Sequence, residues 1–311
     1  MARENNNEDY LSYKVERSVF PERERTEVKT SIDSRSEANP DHPERNEDST
    51  FALPDKGAAG VFDGVGGAER GEVASAVASE YVSSRIAAMA DDLSREETEK
   101  FLADIIRGAD QAVHDKAEKL SQAENREIKM GTTAAVVKEM TDEEGKCAII
   151  ATAGDSRVYK IKADNSIEQL TVDDGILRVA VGVEREIGSK RKQEKLNKVR
   201  EMQTLFNRAK TIDEIKEAGL YKFWEKRNVI FNSLGGEDSV KPRIISVPLA
   251  EGERIMLASD GMDSVGDDQV EAMLNKGYGA REIVTMIKTE AIDEENNWRS
   301  KPDDTSVIII E

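Results

Sequence analysis

Four aspartates stand where an apolar segment ends or where the chain turns, positions from which a carboxylate can act as a ligand. These are Asp63, Asp155, Asp260 and Asp303. Strand ends of an antiparallel sheet can gather at one edge, and carboxylates held together there repel one another unless a cation binds. Oxygen ligands without His or Cys favour Mg²⁺ or Mn²⁺ over Zn²⁺. Four unrelated turns that each use Asp are the alternative interpretation.

Asp63 has the most informative local context. An apolar run, residues 58–62, stops at this aspartate, and three glycines follow at positions 64, 66 and 67. Glycines let the backbone come close to whatever the carboxylate binds. Because an Asp-Gly pair also ends many ordinary strands in a tight turn, this segment alone leaves both interpretations open.

Composition and charge exclude several function classes. The chain has 311 residues, with 63 acidic against 45 basic side chains and a formal net charge of -18. This balance disfavours nucleic acid and anionic membrane surfaces as partners, and it suits divalent cations and basic proteins. The single cysteine, Cys147, cannot form a disulfide within the chain. We see no signal peptide and no apolar run of membrane-spanning length, and therefore expect a cytoplasmic, monomeric protein.

The order of elements predicts one domain after a polar N-terminal extension at residues 1–30. Residues 31–43 are polar with turn signals, and strands are predicted at 50–53, 58–62, 132–138, 147–153, 157–161 and 167–172. Two helices follow the Asp63 segment, the second announced by Ser94 and Glu97, which form a capping box. A Lys/Arg/Glu-rich helical insertion is predicted at about 185–225, then strands at 228–231, 242–247 and 253–258 and two further helices. Successive strands at hairpin spacing indicate antiparallel sheets.

Seven short blocks occur in an order that resembles the PPM-type, metal-dependent Ser/Thr protein phosphatases. The blocks lie at residues 45–49, 61–67, 131–134, 153–159, 170–173, 258–261 and 302–307. They read RNEDS, VFDGVGG, GTTA, AGDSRVY, LTVD, ASDG and PDDTSV. The resemblance spans about residues 31–311 and leaves out the extension and much of the insertion.

The resemblance implies an α+β fold, an antiparallel β-sandwich flanked by helices on both faces in αββα layers. It also implies a binuclear Mn²⁺ or Mg²⁺ centre that activates water to hydrolyse phosphoserine and phosphothreonine in signalling proteins. The residues that the resemblance assigns to metal binding are Asp63, which would bridge the ions, the carbonyl of Gly64, Asp260 and Asp303. Glu47 and Asp48 would orient water at the ions, and Asp155 would belong to a third ion site.

Three departures from the family pattern bear on activity. Members usually carry a phosphate-binding arginine five residues before the Asp of the Asn-Glu-Asp block, and Pro43 stands there. Arg45 and Arg35 are the candidates to replace it. Many members have an aspartate where Ser264 stands, with Asp263 one residue early, which bears on the third site.

The third departure is Val65, which occupies a position where some members have a histidine that acts as a general acid. Protonation of the leaving group would then depend on a metal-bound water. The missing arginine keeps a second interpretation open, a catalytically silent pseudophosphatase that acts by binding. An acidic calcium-binding module would need a contiguous ligand loop, which the sequence does not contain. The helical insertion is predicted to recognise the protein substrate, because it follows the block that ends at Asp173.

Overall fold

Two five-stranded antiparallel sheets lie face to face in the computed structural model, which describes residues 30–65, 70–185 and 189–311. The strands are β1 (Ile32–Glu37), β2 (Ser49–Leu53), β3 (Ala58–Phe62), β4 (Ala134–Asp142), β5 (Gly145–Ala153), β6 (Arg157–Ile161), β7 (Ile167–Gln169), β8 (Arg243–Pro248), β9 (Arg254–Ala258) and β10 (Thr305–Ile310). The first sheet has the order β1-β10-β9-β6-β7, and the second has the order β2-β3-β4-β5-β8.

Helices cover the outer face of each sheet. The helices of the described residues are α1 (Gly71–Ala87), α2 (Arg95–Glu124), α3 (Ile176–Val181), α4 (Ser189–Arg208), α5 (Ile212–Glu217), α6 (Tyr221–Trp224), α7 (Asp267–Asn275) and α8 (Ala280–Ala291). The pair α1 and α2 packs on the second sheet, and the pair α7 and α8 packs on the first. The result is the αββα layering that the family resemblance implies.

Strand β3 shows why its residues form a continuous apolar run. All five of its residues are buried, with Ala58 and Phe62 facing α1 and α2 and with Ala59 and Val61 facing the other sheet. A strand buried on both faces has no position for a polar side chain. The run therefore stops where the strand leaves the core, and Asp63 is the first residue beyond it.

Three local predictions were wrong. The polar segment after residue 30 contains β1, an edge strand whose Ile32 pairs with Ile310 and which carries few apolar side chains because it has one neighbour, β10. The strand predicted at 167–172 ends at Gln169, because the Thr171 hydroxyl accepts the Val158 N–H at 3.2 Å. The strand predicted at 228–231 is an irregular segment with a single bridge from Ile230 to Gly175.

The predicted helical insertion consists of helices with a hydrophobic cluster of their own. Its cluster joins α4, α5 and α6 to residues near α3, and Phe206 and Trp224 pack edge to face at 5.3 Å between ring centroids. The proposed extension at residues 1–30 lies outside the described residues except for Thr30, and the domain boundary there stays a prediction. Within the described ranges, every helix is too short or too polar to cross a bilayer.

Candidate metal centre

Acidic side chains from distant parts of the chain line one cleft at the same end of both sheets. The cleft has a volume of about 280 Å³, and its acidic lining residues are Glu47, Asp63, Asp155, Asp260, Asp303 and Asp304. Gly64, whose carbonyl is a predicted metal ligand, lines the cleft as well. Every predicted metal-binding residue thus lies at this cleft, and Asp48 is buried beside it, near enough to raise the pKa of Asp63.

The main chain of Asp63 is held by two threonines at the start of β4. The Asp63 N–H donates to the Thr133 hydroxyl at 2.9 Å, and the Asp63 carbonyl accepts the Thr133 N–H at 2.8 Å. The Thr132 hydroxyl donates to the same carbonyl at 2.9 Å. These bonds fix the backbone on both sides of the Cα atom, so the carboxylate is presented to the cleft from a rigid support.

Two glycines bring the start of α1 against the Asp63 segment. A Cβ atom on Gly64 would lie 2.7 Å from the carbonyl carbon of Gly71, and one on Gly71 would lie 2.7 Å from Oε2 of Glu47. Position 64 has no room for a larger residue, and at position 71 the Glu47 carboxylate would have to move. The Gly64 N–H also donates to the Glu47 carbonyl at 3.1 Å, which ties Glu47 to the same loop. The predicted close approach at positions 66 and 67 lies outside the described residues.

Asp48 occupies a buried pocket behind the cleft. Its Oδ2 accepts hydrogen bonds from the Ser306 hydroxyl at 2.7 Å and the Ser259 hydroxyl at 2.8 Å. Burial raises the pKa of Asp48 to about 7, although the two serine hydroxyls act in the opposite direction. Its Oδ1 is buried and finds no hydrogen-bond partner among the described residues, which leaves this oxygen free to hold a water molecule or an ion.

Asp304 and Lys301 also line the cleft, and neither residue was predicted to have a role there. Asp304 accepts the Glu47 N–H at 2.5 Å and the Asn39 N–H at 2.6 Å, so it positions the Glu47 segment. The ammonium group of Lys301 contacts the Asp260 carboxylate and lies 3.0 Å from Oδ2 of Asp303. The acidic block 302–307 was visible in the sequence, but these partners are far away along the chain and could not be read from it.

Burial and mutual repulsion raise the pKa values of several cleft carboxylates. Burial raises the pKa of Asp63 and of Asp155 well above the usual range, and the neighbouring carboxylates raise both further. Burial and Asp260 likewise raise the pKa of Asp303, against the effect of Lys301. In the described part of the chain, nothing donates a hydrogen bond to the Asp63 or Asp155 carboxylate. Oxygen donors that repel one another and lack protein partners fit a hard divalent ion.

The side chains do not yet enclose an ion as they stand. Across residues 30–65, 70–185 and 189–311, no three acidic, His or Cys side chains converge closely enough to hold a metal. The Lys301 ammonium lies between two of the predicted ligands, Asp260 and Asp303. The cleft thus offers the oxygen ligands that Mn²⁺ and Mg²⁺ prefer, but the described side chains as placed do not form a metal site, and the Lys301 ammonium contacts two of them.

Asp263 does not reach the cleft. It is bound by the Arg157 guanidinium, which also pairs with Asp173 at 2.9 Å. Although burial acts to raise it, the pKa of Asp263 falls to about 2 because Arg157 and Lys301 favour the charged form. Asp155 alone of the residues considered for a third ion site lines the cleft.

The two arginines considered as phosphate ligands lie in different places. Arg45 is half exposed and contacts Glu47, a cleft residue, through its guanidinium. Arg35 lies on β1 and pairs with Glu37 at 2.7 Å, away from the cleft. Arg45 is thus the arginine that stands at the rim of the acidic site.

A family model and several solved structures that resemble this chain all belong to protein phosphatases. Residues 41–294 match the family model described as protein phosphatase 2C. The chain is similar in structure to the serine/threonine phosphatase Stp1 from Staphylococcus aureus, with 22% identity, 90% of this chain and 93% of that chain covered, and a TM-score of 0.63. The serine/threonine phosphatase PstP/Ppp of Mycobacterium tuberculosis gives 20% identity, coverage of 91% and 98%, and a TM-score of 0.61.

A structure of the PstP catalytic domain in complex with 2 manganese ions gives 21% identity, coverage of 91% and 97%, and a TM-score of 0.60. No curated protein matches the chain in sequence.

Proposed function

Because the chain belongs to the protein phosphatase 2C family, we propose that it hydrolyses phosphoserine and phosphothreonine in proteins at a centre of two Mn²⁺ or Mg²⁺ ions. The observation that carries the proposal is the cleft itself. Asp63, Asp155, Asp260 and Asp303 come from four separate segments and line one cavity. Burying several carboxylates together destabilises the folded state unless a cation binds. Such clusters are therefore typical of functional sites.

The residues of the cleft have distinct roles in this proposal. Asp63 would bridge the two ions, with the carbonyl of Gly64 on one and with Asp260 and Asp303 on the other. When bound, the pair of ions would lower the pKa of a water molecule so that it can act as the nucleophile, and would neutralise charge on the phosphoryl oxygens. Glu47, held by Asp304, would orient water at the cleft wall, and Asp48 would do so through its free Oδ1.

Three further groups would complete or modify this centre. Asp155 would hold a third ion. Val65 lines the cleft but has no proton to give, so water would protonate the leaving group. Arg45 would bind the substrate phosphate in place of the arginine that Pro43 replaces. Its guanidinium stands at Glu47, and charge-assisted hydrogen bonds to phosphate are strong and directional.

A groove beside the cleft would bind the protein substrate. The irregular segment after α6 contributes Ile230 to the cleft and Phe231 to a neighbouring groove of about 260 Å³. Val179 of α3 also lines the groove, and both apolar side chains are exposed, by 50% for Val179 and 38% for Phe231. Basic residues of the groove, Arg178, Arg185, Lys241 and Arg243, outnumber the acidic Glu184 and Asp238, so the groove suits a substrate segment with apolar and acidic residues near the phosphorylated one.

A pseudophosphatase of the same fold is the alternative, and the observation that favours it is Pro43 at the position of the phosphate-binding arginine. The two functions differ in turnover of a phosphopeptide in Mn²⁺. An active enzyme releases phosphate from it in proportion to bound Mn²⁺, and EDTA abolishes the release. A protein that binds Mn²⁺ or phosphopeptide without any phosphate release would establish the alternative.

A further inference from the structure

Lys301 is a buried lysine inside an acidic cluster. The residue is 8% exposed, and its ammonium contacts the Asp260 carboxylate and lies 3.0 Å from Oδ2 of Asp303. Lysine is almost never this deeply buried without a partner. Here both partners are among the carboxylates proposed to hold an ion.

The position of this ammonium is built into the fold. The Lys301 N–H donates to the Ser264 hydroxyl at 3.2 Å, and the same hydroxyl donates to the Lys301 carbonyl at 3.0 Å. Ser264 is fully buried at the end of the short turn that begins with Asp260. One buried serine therefore fixes the lysine backbone against the turn that carries one of its two carboxylate partners.

These contacts give the departure at position 264 a physical role. Instead of a carboxylate that would add negative charge, Ser264 supplies a hydroxyl that anchors a positively charged neighbour. The nearby Asp263 is neutralised separately by Arg157. This side of the cleft thus carries an internal cation, Lys301, next to the buried Ser264.

We propose that Lys301 is a built-in counter-ion that competes with a divalent ion for the Asp260 and Asp303 carboxylates. A divalent ion cannot bind both carboxylates while the Lys301 ammonium lies between them, because the ion and the ammonium are both positive and repel each other at close range. The lysine stabilises the cluster in the absence of metal and weakens ion binding at this pair. Binding at Asp63 and the Gly64 carbonyl is opposed less, so the two ion positions differ in affinity.

The inference rests on the metal-binding part of the proposed function, and its test therefore measures metal binding without substrate. Metal-free wild type and the Lys301→Gln variant are titrated calorimetrically with MnCl₂. We expect the weaker Mn²⁺ site to tighten by about tenfold in Lys301→Gln, the scale of one partly buried charge interaction. Lys56→Gln is the matched control, because Lys56 is also mostly buried and paired, with Asp91 at 2.6 Å, but lies outside the cleft.

Two further measurements test the inference, one on a variant that keeps the charge and one on the thermal stability of Lys301→Gln. Lys301→Arg retains the charge, so its Mn²⁺ affinity should stay near that of wild type. In EDTA, Lys301→Gln should melt below wild type, and saturating Mn²⁺ should raise its Tm more than it raises that of wild type or Lys56→Gln.

The outcomes separate this inference from the proposed function. Equal or weaker Mn²⁺ affinity in Lys301→Gln would overturn the competition while leaving a metal-dependent phosphatase intact. If neither wild type nor variant binds Mn²⁺, both the competition and the proposed metal centre are wrong.

Discussion

The Thr133 hydroxyl lies 2.6 Å from the Ser156 hydroxyl, and this hydrogen bond joins the loop that carries Asp63 to the corner that carries Asp155. Both threonine and serine are buried, and the same Thr133 oxygen accepts the Asp63 N–H. A single side chain thus links the backbone of Asp63, at the end of β3, to the corner between β5 and β6 that carries Asp155.

Replacing Thr133 by Val should lower both stability and activity. The change keeps the shape but leaves the Asp63 N–H and the Ser156 hydroxyl unpaired, which costs about 1–3 kcal/mol. Thermal denaturation in EDTA and hydrolysis of p-nitrophenyl phosphate in Mn²⁺ measure the two effects. Thr141→Val, at an exposed position of β4, is the control and should behave as wild type. A Thr133→Val enzyme with unchanged activity would show that this bond does not position the carboxylates.

The metal-free protein should lose stability as pH rises, and Asp48 should account for part of the loss. Its pKa is about 7 in the folded state against the ordinary aspartate value of 3.8, so folding takes up a proton between these two pH values. The stabilising contribution is complete below pH 4 and disappears as pH rises through 7. Asp48→Asn removes this dependence and should stabilise the metal-free protein at pH 8, by at most about 4 kcal/mol.

Urea denaturation in EDTA between pH 5 and pH 8 measures the Asp48 effect. Asp164→Asn, in the exposed turn between β6 and β7, should leave the pH profile of wild type unchanged. If Asp48→Asn shows the same slope as wild type, Asp48 is not the group that takes up the proton.

The antiparallel strands and the helices could be predicted from local patterns, whereas their αββα layering was implied by the family resemblance. The buried run of β3 and the capping box at Ser94 both appear in the structure as expected, with Glu97 Oε2 accepting the Ser94 N–H at 2.9 Å. Strand β1 was missed because an edge strand can be polar, and its pairing with β10 is specified at the other end of the chain.

The cleft was only partly predictable for a related reason. The carboxylates could be named from their positions at strand ends, and they do line one cavity. The groups that hold them could not be named, because Lys301, Asp304 and Thr133 act through contacts that only the folded chain creates. The spacing of residues in the sequence does not predict that the Lys301 ammonium contacts the carboxylates of Asp260 and Asp303.

Replacing Arg45 by Ala should impair use of every phosphate ester. Loss of a charge-assisted contact to phosphate costs about 1.5–3 kcal/mol, which corresponds to a fall in kcat/KM of about ten- to hundredfold. The control is Arg35→Ala, which removes an arginine of similar exposure on β1. Steady-state kinetics with p-nitrophenyl phosphate give the answer. Equal effects of the two substitutions would exclude Arg45 as the phosphate ligand.

Replacing Phe231 by Ser should affect protein substrates alone. The side chain lines the groove and lies outside the acidic cleft, so p-nitrophenyl phosphate turnover should not change. KM for a phosphopeptide with flanking apolar and acidic residues should rise about tenfold, which corresponds to about 1.4 kcal/mol of lost apolar contact. Ile292→Ser removes another exposed apolar side chain, just after α8, and serves as the control. If KM for the phosphopeptide stays at the wild-type value, the groove does not bind the substrate.

The most direct test of the central claim is Mn²⁺-dependent hydrolysis of p-nitrophenyl phosphate by wild type and Asp63→Asn. The amide keeps the size of the side chain but loses the charge that would bridge two ions. We expect wild-type activity that rises with Mn²⁺ and is abolished by EDTA, and a loss of about 100-fold or more in Asp63→Asn, with Asp164→Asn unchanged. Activity that survives in Asp63→Asn, or that persists in EDTA, would contradict the assignment of this cleft as a two-metal phosphatase centre.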